Sequence, residues 1–241
     1  MIMSLSIVVP VKNEAQNVGA LAREITAALK DERLYEIIFV DDGSTDGTTI
    51  TLSQLKAEIP QLRIIRHPRN AGQSRALRTG ISAARSEIVA ILDGDGQNDP
   101  ADLPKLLSKM RDGSPDLGMV AGIRVRRMDN WAKRLASQAA NRFRNWVLRD
   151  GAEDTGCGLK AFRRGAFLTL PYFDHMHRYL ITLMLREGYT VHYVNVSHRP
   201  RLHGSSKYGV WDRALVGITD LIGVRWLQQR FRGGAFKTEE L

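Results

Sequence analysis

The chain has 241 residues, 43% of them apolar and 7% aromatic, with 35 Lys/Arg against 26 Asp/Glu and a formal net charge of +9. That suits one large domain, or one domain plus an appendage, with a real hydrophobic core. A single cysteine, Cys157, excludes an internal disulfide and points to a reducing compartment, and no segment reaches the ~18 uncharged apolar residues of a membrane span.

Ser4 to Val11 reads as a buried strand of a parallel sheet. Residues 1–11 are apolar but lack the basic leader and cleavage site of a secretory signal, and Pro10 interrupts them. Lys12-Asn13-Glu14 ends the strand, and helical spacing runs from Ala15 to Leu29. Glu36 to Val40 is a second strand and enters an acidic turn, Asp41-Asp42-Gly43-Ser44-Thr45-Asp46. A helix is expected over Gly47 to Ala57, with Asp46 as its cap. Leu62 to Arg66 is a third strand, followed by Asn70-Ala71-Gly72 and a helix to about Ala84. The run Glu87 to Leu92 is a fourth strand and ends in Asp93-Gly94-Asp95-Gly96-Gln97. Strands alternating with helices in this way are the signature of a parallel α/β sheet.

Open sheets of this kind bind ligands at the carboxyl ends of their strands. Here those ends carry Glu14, Asp41, Asp42, Asp93 and Asp95. Glycine-rich phosphate cradles are absent: no Gly-x-Gly-x-x-Gly follows the first strand and no P-loop pattern occurs. Carboxylates suit ribose hydroxyls, the donor edge of a base, and a metal. They repel a bare diphosphate, so a diphosphate ligand here requires a cation. Two Asp separated by one Gly can turn their oxygens toward one point, and hard oxygen donors suit Mg²⁺ or Mn²⁺. The alternative is a polar turn, with Asp99-Pro100 opening the next helix. Asp46, Asp99 and Asp102 are expected to cap helices.

The basic excess belongs to the second half. Met1 to Gly122 holds 14 Lys/Arg and 16 Asp/Glu, whereas Ile123 to Leu241 holds 21 and 10. Such asymmetry points to an anionic partner, lipid or nucleic acid. Leu117 to Gly122 is a further strand, followed by Arg124, Arg126 and Arg127. Arg124 suits phosphate through its planar fork; the other two read as solvated charges. On a helix from Trp131 to Arg149, Trp131, Leu135, Ala139, Phe143, Trp146 and Val147 share one face. Lys133, Arg134, Arg142, Arg144 and Arg149 lie off it. This stripe either lies in a membrane interface or packs on the protein's own sheet. Gly156 to Phe162 is a strand with Asp154 at its entrance, and Cys157 reads as a small buried residue. His175 and His177 read as polar residues before a helix, Arg178 to Glu187, rather than as metal ligands. Thr190 to Val196 is the last strand. His198 to Gly209 is a basic, Gly- and Ser-rich loop suited to closing over a phosphate. Val210 to Phe231 is an amphipathic helix with Trp211, Leu215, Ile218, Ile222 and Trp226 on one face.

Taken together these motifs resemble the family-2 inverting glycosyltransferases of GT-A fold, and within them the polyprenyl-phosphate glycosyltransferases of the dolichol-phosphate mannose synthase type. The resemblance rests on Pro10-Val11-Lys12-Asn13-Glu14, Val40-Asp41-Asp42-Gly43-Ser44, Asn70-Ala71-Gly72, Asp93-Gly94-Asp95-Gly96-Gln97 and Gly122-Ile123-Arg124. It continues through Asp154 to Lys160, His177-Arg178-Tyr179-Leu180 and Arg201 to Tyr208. It implies an α/β, Rossmann-like, mostly parallel sheet flanked by helices over residues 1–209. An interface helix at about 131–149 and an acceptor loop at about 198–209 belong to that domain, and residues 210–241 form a basic amphipathic helix and tail.

The implied roles follow residue by residue. Pro10, Val11, Asn13, Glu14, Asp41, Asp42, Gly72, Asp93 and Gly94 would line the nucleotide sugar. Asp93, Asp95 and Gln97 would hold Mg²⁺ or Mn²⁺. Arg124, Arg201, Ser206 and Lys207 would meet the acceptor phosphate. Lys12 departs from the aromatic residue common in the family, and Ile181 stands where relatives often carry Pro. The expected reaction transfers a sugar from a UDP- or GDP-sugar to a polyprenyl phosphate with inversion. A phosphate acceptor needs no base; a hydroxyl acceptor would need one, with Asp154 or Asp95 as the candidate. Relatives often continue into transmembrane helices where this chain ends. That predicts peripheral binding at the cytoplasmic face of the membrane, with a membrane-protein partner as a possibility and no nucleic acid. The rival readings are a soluble transferase acting on a hydroxyl and a non-catalytic binder of nucleotide sugar, anionic lipid or nucleic acid.

Overall fold

The structure, a computed structural model, describes residues 5–125, 142–201 and 210–231, the side chains of 210–216 excepted. Its centre is a seven-stranded sheet: β1 (Leu5–Val11), β2 (Tyr35–Asp41), β3 (Leu62–Arg66), β4 (Ile88–Ile91), β5 (Leu117–Arg124), β6 (Lys160–Arg163) and β7 (Thr190–Val196). The strand order is β3-β2-β1-β4-β6-β5-β7. All pairings are parallel except those of β6, which runs antiparallel to both β4 and β5. This is the expected mostly parallel α/β architecture.

Side chains alternate across the sheet as the pleat requires. Leu5, Ile7, Val9 and Val11 of β1 enter one core, covered by α1 (Val18–Ala28), α2 (Thr48–Glu58) and α4 (Leu103–Arg111). Val8, with Ile38 and Val40 of β2, enters the other. That face is covered by α3 (Gln73–Ala83), α5 (Arg164–Thr169), α6 (Leu180–Arg186) and the lower part of α7 (Val210–Arg230). One buried polar knot interrupts the apolar packing. Glu36 accepts from Ser6 Oγ at 2.7 Å, from Arg85 N–H at 2.7 Å and from Arg63. Burial alone would raise the Glu36 carboxyl, but these donors outweigh it and hold the pKa below its usual value.

Several boundaries differ from the sequence reading. Helix α1 opens at Val18 rather than Ala15, because the N–H groups of Asn13, Glu14 and Ala15 are tied to Ser44, Thr48 and Asp46. Strand β6 opens at Lys160, not Gly156. Asp99 does cap, accepting from Ala101 N–H, whereas the cap position of α2 is Gly47 and Asp46, one residue before it, accepts from Thr48 N–H. Asp102 does not cap; its carboxylate takes Ser197 N–H at 2.6 Å and Lys105 at 2.5 Å.

The two amphipathic helices orient differently from their sequence stripes. Residues 126–141 lie outside the described residues, so Trp131, Leu135 and Ala139 do too; residues 142–148 are helical. Arg144, expected on the solvent side, faces inward and bonds Asp150 (2.5 Å) and Thr182 (2.7 Å). Phe143 and Trp146 are consequently 55% and 75% exposed. On α7, Leu221 and Val224 enter the core, while Ile218, Ile222 and Trp226 are 54%, 65% and 54% exposed. Among the described stripe residues, Phe143, Trp146, Ile218, Ile222 and Trp226 therefore do not pack on the sheet, while Val147 is partly buried against the core. The two helices adjoin, Gln228 Nε2 donating to Leu148 O at 2.9 Å. Among the described residues no helix is long and apolar enough to cross a membrane.

Candidate active site

Three loops meet at the carboxyl ends of β1, β2 and β4. The first is built on Asn13, in a left-handed conformation (φ 54°). Its N–H donates to Ser44 Oγ at 2.9 Å and its Oδ1 accepts from Thr45 N–H at 2.8 Å, which straps this loop to the next. Glu14 Oε2 accepts from Asn17 Nδ2 at 2.6 Å, and Oε1 lies 3.4 Å from Arg201.

Asp41 is fully buried. Its oxygens accept from Ser44 N–H at 2.8 Å and from the Thr49 hydroxyl, so it builds its own turn and presents no surface to a ligand. The expectation that Asp41 contacts the nucleotide is corrected on that ground. Asp42 accepts from Ala71 N–H, Gly72 N–H and His67 Nδ1, each at 2.8 Å, and ties the second loop to the third strand's loop. Gly72 (φ 90°) opens α3 and supplies one of those donors; its backbone conformation is one that glycine adopts without strain.

The Asp93–Gln97 turn follows β4. Gly94 packs on the end of β1: a Cβ there would lie 2.4 Å from Val11 Cγ1 and 2.9 Å from Pro10 O. Asp93 Oδ1 accepts from Gln73 Nε2 at 2.8 Å, and Asp93 N–H donates to Asn98 Oδ1 at 3.0 Å. Asp95 Oδ1 accepts from Gln97 N–H at 3.1 Å, and Oδ2 meets Arg201 at 3.0 Å. Burial, then the neighbouring Asp95 carboxylate, pushes Asp93 up to about 6. Two carboxylates held together against their own repulsion form a donor set that a hard divalent cation would relieve. Among the described residues no three His, Cys, Asp or Glu side chains converge, so such an ion would take its remaining ligands from phosphate and water.

Arg124 closes β5. Its Nε and Nη2 form a bidentate pair with Asp154, at 2.8 and 2.7 Å, and its N–H also donates to Asp154 Oδ2. The two candidates thus come together, but as partners, and the carboxylate that could have served as a base is already engaged. Because β6 runs antiparallel, its first residue lies at the carboxyl ends of its neighbours: Lys160 pairs with Ile91 of β4 and Ala121 of β5. Lys160 is buried; its ammonium donates to Cys157 O, and burial lowers its pKa despite the attraction of Asp93 and Asp154. Cys157 is buried as expected, which raises its thiol pKa.

A cavity of about 190 Å³ opens between Asp93 and the segment before α6, lined among others by Gln73, Asp93, Thr155, Lys160, His177 and Arg178. His177 Nδ1 pairs with Ser74 Oγ at 2.8 Å, while His175 turns to Asp220 at 3.3 Å, so the two imidazoles share no ligand. Burial, then Arg178, Lys160 and His175, drives His177 down to about 3, which keeps it neutral at physiological pH.

Arg201, which the resemblance assigns to the acceptor phosphate, reaches both Glu14 and Asp95 here. Arg199 fastens the same segment to Asp99 and Glu24. Ser206 and Lys207 lie outside the described residues. Sequence reasoning missed Gln73, Lys160 as a cavity residue, and the cavity role of His177 and Arg178. The motifs Asp154 to Lys160 and His177-Arg178 were the available signal, but placing Lys160 required knowing where its strand opens and in which direction it runs.

An α/β sheet with acidic turns at its carboxyl edge, and an arginine beside them, suits a glycosyltransferase. The chain belongs to glycosyl transferase family 2, which matches residues 6–170. It is 34% identical over 240 residues to dodecaprenyl-phosphate galacturonate synthase of Rhizobium johnstonii, covering 97% of this chain and 70% of that protein. It is 32% identical over 208 residues to undecaprenyl-phosphate 4-deoxy-4-formamido-L-arabinose transferase of Aeromonas hydrophila subsp. hydrophila. That match spans 86% of this chain but only 63% of the relative, less than two thirds of its length. Among solved structures, glucosyl-3-phosphoglycerate synthase from Mycobacterium tuberculosis, in complex with Mn²⁺, UDP and glucosyl-3-phosphoglycerate, superposes with a TM-score of 0.71 at 19% identity. The superposition covers 96% of this chain and 81% of that one, and at that identity it speaks for the fold alone. The chain is thus a glycosyltransferase, and its named relatives are polyprenyl-phosphate sugar transferases.

Proposed function

We propose that the protein transfers a sugar from a nucleoside-diphosphate sugar to a polyprenyl phosphate with inversion, at an anionic membrane surface. The observation that carries the choice of acceptor is the engagement of Asp154 by Arg124. A hydroxyl nucleophile needs a base to take its proton. A phosphomonoester is mostly dianionic at neutral pH and attacks without one. The carboxylates at the strand ends, Asp41, Asp42, Asp93, Asp95 and Asp154, all accept hydrogen bonds from protein donors, which supports the second case.

Glu14 and the loops tied by Asn13 and Asp42 form the side on which the nucleotide docks, with Pro10, Val11, Gly72 and Gly94 shaping the loops' approach. Asp93 and Asp95, with Gln97 beside them, would hold Mg²⁺ or Mn²⁺, which would supply charge neutralisation for the departing diphosphate. Arg124, oriented by Asp154, adds fixed positive charge at the edge of the same site. Arg201 sits on Glu14 and Asp95 and gives up those contacts as the donor enters; Ser206 and Lys207 follow it along the same loop and close on the acceptor. Exposed Trp146 and Trp226 meet the lipid. The protein works peripherally, at the cytoplasmic face, and a membrane-protein partner would adjoin that surface.

The test is a transfer assay with labelled UDP- and GDP-sugars, Mn²⁺ and detergent-dispersed undecaprenyl phosphate, followed by extraction into organic solvent. Label from one donor should enter the organic phase, and Asp95→Ala should lower that transfer at least about 10²-fold. Transfer to an added hydroxyl acceptor but not to undecaprenyl phosphate would sink the proposal.

A further inference from the structure

The cavity beyond Asp93 is basic in a way the nucleotide side is not. Lys160 is buried to 3% exposure, yet its ammonium meets only a backbone carbonyl, and no carboxylate lies within ion-pair distance of it among the described residues. The Arg178 guanidinium lines the same cavity, and no hydrogen bond or ion pair holds it among the described residues. Thr155 and neutral His177 stand beside them, and Asp93 supplies the cavity's one carboxylate. Buried cations are ordinarily paired. Neither Lys160, which is buried, nor half-buried Arg178 makes ion-pair contact with a carboxylate, although Asp93 and Asp154 attract the first and Asp220 the second from further off; two such cations around one cavity point to an anionic ligand that completes them. The volume, about 190 Å³, is several times that of one water, ~30 Å³.

Which anion follows from the placement. Asn13, Glu14 and Asp42 do not line this cavity, which shares Asp93 with the metal-binding turn and Gln73 with the start of α3. A single displacement with inversion requires the nucleophile opposite the leaving diphosphate. On the transferase reading above, on which this inference rests, we propose that Lys160 and Arg178 hold the acceptor's phosphate dianion in this cavity, with His177 and Thr155 as neutral hydrogen-bonding partners. One phosphate oxygen forms the new bond to the anomeric carbon as the bond from that carbon to the diphosphate oxygen breaks. The electron pair leaves with the nucleoside diphosphate, and no proton moves. Arg178 and Lys160 orient the nucleophile; their charge also lowers its repulsion from the departing diphosphate.

Titration calorimetry with farnesyl phosphate, a short soluble polyprenyl phosphate, tests this on the full chain in the presence of UDP or GDP, whichever binds. Wild type should bind farnesyl phosphate and ignore farnesol. Arg178→Gln should weaken farnesyl phosphate about tenfold or more, as expected for a lost charged hydrogen bond, with nucleotide affinity unchanged. Arg178→Lys should recover part of the loss, and Lys160→Met should repeat it. Unchanged nucleotide binding shows that each variant is folded; should Lys160→Met fail that check, half-buried Arg178 alone decides. The inference is overturned if wild type ignores farnesyl phosphate, if Arg178→Gln binds it as wild type does, or if the variants lose nucleotide sugar instead. Failure of wild type to bind any nucleotide would instead sink the transferase reading itself.

Discussion

His177 is a residue whose protonation the surroundings strongly resist. Arg178 and Lys160 face it from its own segment and from β6, His175 adds to them, and Ser74 occupies Nδ1. Its pKa falls from an ordinary 6.5 to about 3. The folded state therefore binds fewer protons than the unfolded state between those values. The stability His177 contributes is complete above about 6.5 and is lost as pH falls toward about 3. Replacing it removes that titration: His177→Asn should flatten the fall in unfolding free energy across this window by up to about 1.4 kcal/mol per pH unit. Urea melts of both proteins at several pH values measure the difference; parallel slopes would mean that the imidazole is accessible to protons. Gly158 makes a second prediction at this scale. A Cβ there would lie 2.1 Å from Asp93 Oδ2 and 2.7 Å from Asn98 Oδ1, so Gly158→Ala must displace the Asp93 carboxylate. Misplacement by about 1 Å costs on the order of 10²-fold in rate, and initial-rate assays should find that loss with the thermal midpoint little changed.

At the scale of elements, the anchoring of the 142–148 helix decides what the molecule shows to its surroundings. Arg144 is held by Asp150 and Thr182 and lies under Tyr179, 5.9 Å from the ring centre. That bond network rotates Phe143 and Trp146 outward, where their rings stack at 6.2 Å. Asp150→Ala would leave the Arg144 charge buried and uncompensated, at a cost of about 3 kcal/mol or more, readable as a drop in denaturant midpoint. Sequence periodicity alone placed Arg144 on the wet side, because the partner that draws it inward comes from a loop and its second acceptor from α6. The same limit explains the other misses. Strands β1 to β4 and the acidic ends Glu14, Asp42, Asp93 and Asp95 were legible, since a strand followed by its turn is a local signal. The place of Lys160 was not, since only the antiparallel insertion of β6 between β4 and β5 brings it beneath Asp93. Asp41 and Asp42 are adjacent and identical in type, yet one builds a turn and the other binds a neighbouring loop; composition could not separate them.

For the whole molecule, charge and exposed aromatic surface fall in the same half of the chain. The first half carries 14 cations and 16 anions, the second 21 and 10. In that second half Phe143, Trp146, Ile218, Ile222 and Trp226 stand more than half exposed on two adjoining helices, and Arg230 covers the Trp226 ring at 5.6 Å. A solvated protein gains nothing by presenting two tryptophans and two isoleucines to water, where each costs apolar burial. A membrane interface rewards both features together: tryptophan rings settle at the headgroup level, and each basic residue near an anionic leaflet adds roughly 1 kcal/mol. The two contributions separate by experiment. Wild type should co-sediment with vesicles containing phosphatidylglycerol and much less with neutral phosphatidylcholine, and rising salt should release part of it as the surface potential is screened. Trp146→Ala with Trp226→Ala should weaken capture in low and high salt alike, because the apolar contribution is not screened. A protein that stays in the supernatant with acidic vesicles, or a double variant that binds as wild type does, would mean that these side chains serve a different partner and that the polyprenyl acceptor reaches the cavity by another route.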